Sequence, residues 1–248
     1  MKDIKKLSGK SALITGAGRG VGRATAILFA EEGANLILIA RTAGELEETE
    51  RLCLKNSTNI FTRTIDLARE SQIDNLIGKL PDDFTPIDIL VNNASRFDSG
   101  PMSEYGIDDL KMMLQVNLLA PFYLSQKVIA MMNKETGGSI VNVSSFSGCF
   151  GVEKFPGFGA YNISKYALWG LTEILALECR EKNIRVNQIA PSGVDTQMFR
   201  EAVPPGVEPD LTPEEVARQI LYLASGDSYP LTGANIMIDG MPKDEQSD

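Results

Sequence analysis

At 248 residues, 43% of them hydrophobic and 23% charged, the chain can fill one large α/β core. Its net charge of −9 argues against nucleic acid or an anionic membrane as partner, so a phosphate-bearing ligand must be held by local bases. Histidine is absent, which removes Ser-His-Asp and Cys-His nucleophiles, imidazole acid–base chemistry and most zinc sites, and no metal site is expected.

The residues from Met1 to Lys6 are charged and lack an apolar run, so no signal peptide is expected, and no apolar stretch approaches the roughly 18 residues of a membrane span. Cys53, Cys149 and Cys179 lie far apart without metal-ligand spacing, as reduced thiols in a cytoplasmic protein would. In chain order, 11–15 reads as a buried strand, and Gly16-Ala17-Gly18-Arg19-Gly20-Val21-Gly22 joins it to a helical pattern over 21–32. A glycine-rich turn at a strand-to-helix junction points unpaired N–H groups and the positive end of a helix dipole at an anion. Glycine also lets the backbone approach a diphosphate without a Cβ in the way. The spacing is Gly16-x-x-x-Gly20-x-Gly22; Val21 stands where the commonest Gly-x-Gly-x-x-Gly fingerprint has its third glycine.

A second strand, 35–40, ends without Asp or Glu and is followed by Arg41. An acid there suits a ribose 2′-hydroxyl and an arginine a 2′-phosphate. With Arg19 able to reach the same group from the glycine turn, NADP(H) is expected over NAD(H). Then come a helix over 43–55, a strand over 59–65 ending at Asp66 and Leu67, a helix over 70–79, and a strand over 87–92 ending at Asn93-Ala94-Ser95. The pattern over 107–133 predicts one long helix whose inward stripe is interrupted by Asn117, with Pro121 expected to kink it. A buried amide there either satisfies backbone groups freed at the kink or holds an ordered water.

A strand over 139–144 ends at Ser145, whose hydroxyl can hydrogen-bond a substrate carbonyl or simply satisfy its own turn. The helix over 160–182 carries Tyr161 and Lys165 on one face. At about 4 Å and an effective dielectric near 20, an ammonium favours phenolate by about 4 kcal/mol, roughly three pKa units. A Tyr–Lys pair at this spacing also occurs on solvated helix faces. A strand over 184–190 leads to Pro191–Thr196, a Pro-rich surface loop spans 201–210, and a helix over 213–225, a strand over 235–239 and a polar tail over 241–248 complete the chain. Regular β-α alternation predicts a single doubly wound parallel sheet of about seven strands with helices on both faces, one domain over 1–248. The segments following the strands should converge on one crevice.

Taken together, Thr15-Gly16-x-x-x-Gly20-x-Gly22, Asn92-Asn93-Ala94, Asn117, Ser145, Tyr161-x-x-x-Lys165, Pro191-x-x-Val194-x-Thr196 and Leu231-Thr232-Gly233 through Asp239-Gly240 resemble the short-chain dehydrogenase/reductase family along essentially the whole chain. The resemblance implies a Rossmann-type domain in which Tyr161 is the acid or base and Lys165 holds the nicotinamide ribose. Ser145 would polarise the carbonyl and Asn117 anchor a water. Gly16, Arg19, Gly20, Val21 and Gly22 would hold the diphosphate side, Asp66 and Leu67 the adenine, Asn93 and Ala94 the cofactor, and Val194 and Thr196 the carboxamide and phosphates.

Three positions depart from the family pattern. Ser95 and Ser192 replace usual glycines and are expected to adjust loop shape only. The 16-residue step from Ser145 to Tyr161 is about three longer than the family's, the excess falling in 149–159. Ser145 rather than Ser144 matches because it precedes x-x-Gly148. The substrate class implied is a small-molecule carbonyl or alcohol. A 3-oxoacyl-(acyl-carrier-protein) reductase-like activity is the first specific reading, and a small ketone, sugar, polyol or pteridine-like ring is the alternative. In that alternative Phe150, Phe155 or Phe158 lines an apolar wall, unless they only pack the loop. A cofactor-binding regulatory protein on the same fold is the non-enzymatic alternative. Apolar residues on several faces of the two long helices, including Met112, Met113, Leu168 and Leu171, predict a homodimer or homotetramer.

Overall fold

The computed structural model describes residues 5–56 and 59–240. Seven parallel strands, β1 (Ser11–Thr15), β2 (Asn35–Ala40), β3 (Ile60–Thr64), β4 (Ile89–Asn92), β5 (Gly138–Val143), β6 (Ile184–Pro191) and β7 (Asn235–Ile238), lie in the order β3-β2-β1-β4-β5-β6-β7. The connecting helices are α1 (Gly20–Glu31), α2 (Ala43–Cys53), α3 (Glu70–Ile77), α4 (Ile107–Leu114), α5 (Ala120–Met131), α6 (Gly159–Glu178), α7 (Gln197–Ala202) and α8 (Pro213–Ala224).

Strands β1, β2 and β4 are largely apolar and buried because both faces are covered. Ala12, Ile14, Leu36 and Leu38 pack on one side with Phe29 of α1 and Val216 and Ile220 of α8. Leu13, Ile37 and Ile39 pack on the other with Ile73 of α3, Leu124 and Val128 of α5 and Ala176 of α6. Alternate residues of a strand thus feed two separate cores. Chain direction across the sheet reverses between β1 and β4, which neighbour each other, so a crevice opens beyond their carboxyl ends.

Three local expectations need correction. The single helix expected over 107–133 is α4 and α5 joined by a π-helical turn at Gln115–Leu119. That turn ends two residues before Pro121, so the helix is continuous and its irregularity falls close to the expected kink. The helix expected to reach 182 stops at Glu178, and a one-turn 3-10 segment ends at Asn183 with φ 55°. The loop expected from 201 begins later, because α7 occupies 197–202. Thr196 caps it, accepting from the Phe199 N–H at 3.2 Å. The tail over 241–248 lies outside the described residues.

Candidate active site

A cleft of about 1470 Å³ runs along the carboxyl ends of the strands. Gly16, Arg19, Gly20, Val21, Arg41, Asp66, Leu67, Asn93, Ala94, Ser145, Tyr161, Lys165, Val194 and Thr196 all line it; Gly22 and Asn117 stand behind its wall. Gly16 and Gly20 have φ of 65° and 53°, which a side chain would resist. At Gly22 a Cβ would fall 2.1 Å from the Gly16 carbonyl oxygen, so glycine here lets α1 close against the turn. No side chain caps α1, leaving its first-turn N–H groups facing the cleft.

Asn93 braces this turn from β4. Its Nδ2 donates to the carbonyls of Thr15 at 2.9 Å and Gly16 at 3.3 Å, while Thr15 Oγ1 accepts from the Asn93 and Ala94 N–H groups, each at 2.9 Å. Thr196 reaches across to the same turn, its Cγ2 3.1 Å from where a Cβ on Gly20 would lie. Arg41 is exposed at the end of β2. Arg19 donates to Gln197 Oε1 and lies 3.6 Å from the carboxylate of Glu45. The Asp66 carboxylate accepts from the Ala68 N–H at 3.1 Å, fixing its loop.

At the centre of the cleft, Tyr161 and Lys165 are both buried on α6, with the lysine Nζ 5.5 Å from the tyrosine ring centre. Lys165 Nζ donates to the Val143 carbonyl at 3.0 Å. Gly148 allows this arrangement, since a Cβ there would meet the Lys165 backbone at 2.7 Å. Burial pushes the Tyr161 phenol up to about 12, against hydrogen bonds with Ser95 and Ser145 that pull it down. Burial pushes Lys165 down to about 7. Desolvation is the largest influence on both groups, and the lowering of the phenol expected from its lysine is not seen.

Ser144 and Ser145 separate cleanly. Ser144 Oγ donates to the Lys165 carbonyl at 3.5 Å within the wall, whereas Ser145 begins the Phe146–Gly148 turn and hydrogen-bonds Tyr161. Asn117, 1% exposed, uses its whole amide. Oδ1 accepts from Ser95 Oγ at 3.2 Å and the Arg96 N–H at 2.7 Å, and Nδ2 donates to the Arg96 carbonyl at 2.9 Å and Ser164 Oγ at 3.0 Å. The π-helical turn aims that amide inward, so its role is to tie the loop after β4 to α6.

Ser95 does more than shape its loop, contrary to expectation: it bonds both Asn117 and Tyr161. Ser192 Oγ is buried without a hydrogen-bond partner among the described residues. Phe97 has no motif to announce it, yet its ring meets Tyr161 edge-on at 5.2 Å.

A family model described as short chain dehydrogenase matches residues 10–205. The chain belongs to that family. It is an oxidoreductase acting on carbonyl and alcohol groups. It is 35% identical over 244 residues to the 3-oxoacyl-[acyl-carrier-protein] reductase FabG of Thermotoga maritima, covering 95% of this chain and 98% of the relative. It is also 35% identical over 247 residues to galactitol 2-dehydrogenase of Rhizobium johnstonii, covering 94% of this chain and 95% of the relative. Among solved structures, carveol dehydrogenase from Mycobacterium avium, in complex with NAD, superposes with a TM-score of 0.85 at 25% identity, over 95% of this chain and 98% of that one. Among the described residues, no helix is long and apolar enough to cross a membrane.

Proposed function

We propose that this chain is an NADP(H)-dependent reductase that interconverts a ketone and a secondary alcohol with Tyr161 as acid and base, acting in the cytoplasm as a homodimer or homotetramer of one-domain subunits. The observation that carries the reading is the buried Tyr161 phenol, hydrogen-bonded with Ser145 and Ser95 and one helical turn from Lys165, at the joint of the cleft.

The residues present fit a nicotinamide dinucleotide. Gly16, Gly18 and Gly20 line the cleft without a Cβ, α1 presents uncapped N–H groups, and Arg41 stands where an acid would repel a 2′-phosphate. The glycine turn, Arg19 and Arg41 would hold the phosphates, Asp66 and Leu67 the adenine side, and Val194 and Thr196 the nicotinamide side. The bound nicotinamide would supply or take the hydride.

Ser145 Oγ positions the substrate carbonyl by a hydrogen bond, and Tyr161 delivers the proton to the oxygen as it gains electrons. A phenol held near 12 is protonated at neutral pH and is loaded for reduction. Once charged, Lys165 favours the phenolate left behind, so its attraction acts where charge develops. Asn117 keeps the Ser95 loop against α6.

The test is oxidation of NADPH followed by fluorescence with a panel of ketones. Consumption that depends on ketone and is lost in Tyr161→Phe supports the reading. Nucleotide binding with no consumption across the panel favours a regulatory binder. The relatives act, by name, on an oxoacyl thioester, a polyol and carveol, so similarity selects no substrate.

A further inference from the structure

The long segment 149–159 is clasped to the catalytic turn. Lys154 Nζ donates to the carbonyls of Phe146 at 2.8 Å and Cys149 at 2.7 Å, and sits 5.4 Å from the Tyr166 ring centre. Held this way, the segment brings Phe155 and Phe158 to the cleft wall. Phe155 lies 5.7 Å from Phe158, Phe158 meets Phe97 at 4.7 Å, and Phe97 meets Tyr161 at 5.2 Å, all between ring centres. Three phenylalanines thus form an unbroken aromatic series ending at the proton donor. Phe155, at the far end, is 61% exposed, an apolar ring with room for an apolar occupant.

Bases along the same cleft are confined to one part of it. They are Arg19, Arg23 and Arg41 on the dinucleotide side, where Glu45 and Asp66 also line it, and Lys165 at the joint. Outside that stretch the lining carries Glu153, Asp195, Glu208, Asp210, Glu214 and Asp239, and no described lining residue there is Lys or Arg. A carboxylate, a phosphate or an acidic carrier protein entering from this side meets repulsion focused by low-dielectric walls. A ring has few rotors to immobilise and offers a broad apolar face to edge-on aromatic partners, whereas a flexible acyl chain loses more freedom on binding.

We propose that the substrate is an uncharged ketone, or its alcohol, whose reacting carbon lies in or beside a ring seated against Phe97, Phe155 and Phe158. Anionic and carrier-bound carbonyls are excluded by the acidic rim. The inference rests on the Tyr161 reading and narrows it.

The test compares three probes with the wild-type enzyme and saturating NADPH: 4-methylcyclohexanone, 4-oxocyclohexanecarboxylate (the same ring bearing a charge) and acetoacetyl-CoA. The neutral ring is expected to exceed both others in kcat/KM by about tenfold or more, the scale of pocket discrimination. Phe155→Ala, at an exposed position that leaves the fold intact, should raise KM for the neutral ring about tenfold. Glu208→Lys should raise kcat/KM for the ring carboxylate several-fold, roughly the effect of removing a repulsive charge and adding an attractive one. Equal kcat/KM for the two rings, a preference for acetoacetyl-CoA, or a Phe155→Ala KM within twofold of wild type (about the scatter of such assays) overturns the inference. If acetoacetyl-CoA is then reduced and Tyr161→Phe abolishes it, only the substrate class has failed. An enzyme that reduces none of the three overturns the inference, and the Tyr161 reading falls with it only if the broader ketone panel is not reduced either.

Discussion

Ser95 Oγ donates to Asn117 Oδ1 at 3.2 Å, and the same hydroxyl bonds the Tyr161 phenol. A residue in the loop after β4 therefore links the π-helical turn to the phenol proposed as proton donor. When the phenol ionises, the Ser95 hydroxyl turns its one hydrogen from Asn117 to the phenolate and so pulls the phenol down; Ser95→Gly should therefore move the acid limb of the alcohol-oxidation pH profile to higher pH. Ser95→Thr should restore it. A profile unmoved by the glycine variant would leave Ser95 as loop filler.

Tyr161→Phe keeps the ring against Phe97 and removes the proton. Turnover should fall by at least about 100-fold, the usual scale of positioned acid–base help, with little change in dinucleotide affinity. Stopped-flow turnover and nucleotide titration separate the two, and activity within a few-fold of wild type would remove Tyr161 from the mechanism.

Lys165 gives a stability signature of definite sign. Its folded pKa of about 7 lies below the ordinary 10.5, so between those values the unfolded chain holds the extra proton and stability rises with pH. Tyr161, raised from 10.0 to about 12, acts oppositely over that higher window, because there the folded chain holds the extra proton. Urea unfolding of wild type and Lys165→Met from pH 7 to 10, about the span between the two lysine values, should show the upward contribution only in the wild type.

Arg41 and Arg19 should make NADPH the better cofactor in kcat/KM. One charge-assisted bond is worth roughly 1.5–3 kcal/mol, so Arg41→Asp should shrink the preference by about tenfold or reverse it. Glu45 already occupies Arg19 at 3.6 Å, and Glu45→Gln should sharpen the preference for NADPH. Equal kcat/KM for the two nucleotides in the wild type would sink the assignment.

Assembly should use exposed apolar residues, among which Met112 is one of those first singled out. Met113 and Leu168 are 0% and 1% exposed and belong to the core, whereas Met112, Phe122, Ile174 and Leu177 are 41%, 48%, 54% and 60% exposed. Light scattering at micromolar concentration should give a dimer or tetramer, and Phe122→Glu with Leu177→Glu should shift it toward monomer.

The sheet was legible because its physics is repetitive. Strands covered on both faces must be apolar throughout, so β1 and β2 stand out with their bounds intact. The cleft was legible too, because a doubly wound sheet puts the residues after its strands in one place. Features that depend on contacts between distant segments were not. The π-helical turn follows from Asn117 finding partners on the β4 loop and α6, which no local spacing encodes. Helix α7 rests on a lone Thr196 cap without a reciprocal acid. The pKa pattern of Tyr161 and Lys165 turns on how deeply α6 is buried, which an i, i+4 spacing does not report. Phe97 follows Asn93 in a loop with no periodicity, and only the folded chain brings it to Tyr161.

Lys154 grips main-chain carbonyls at Phe146 and Cys149, and its ammonium also lies 5.4 Å from the Tyr166 ring centre of α6. Phe150 packs on Tyr166 and Trp169 of α6 and Phe158 is that helix's N-cap, so changes that leave the tyrosine and lysine in place belong in the middle of the stretch. For the engineer the same clasp marks a cassette: on the substrate reading proposed above, exchanging Phe155 and its immediate neighbours while keeping Lys154 should change what the enzyme accepts before it changes what it does.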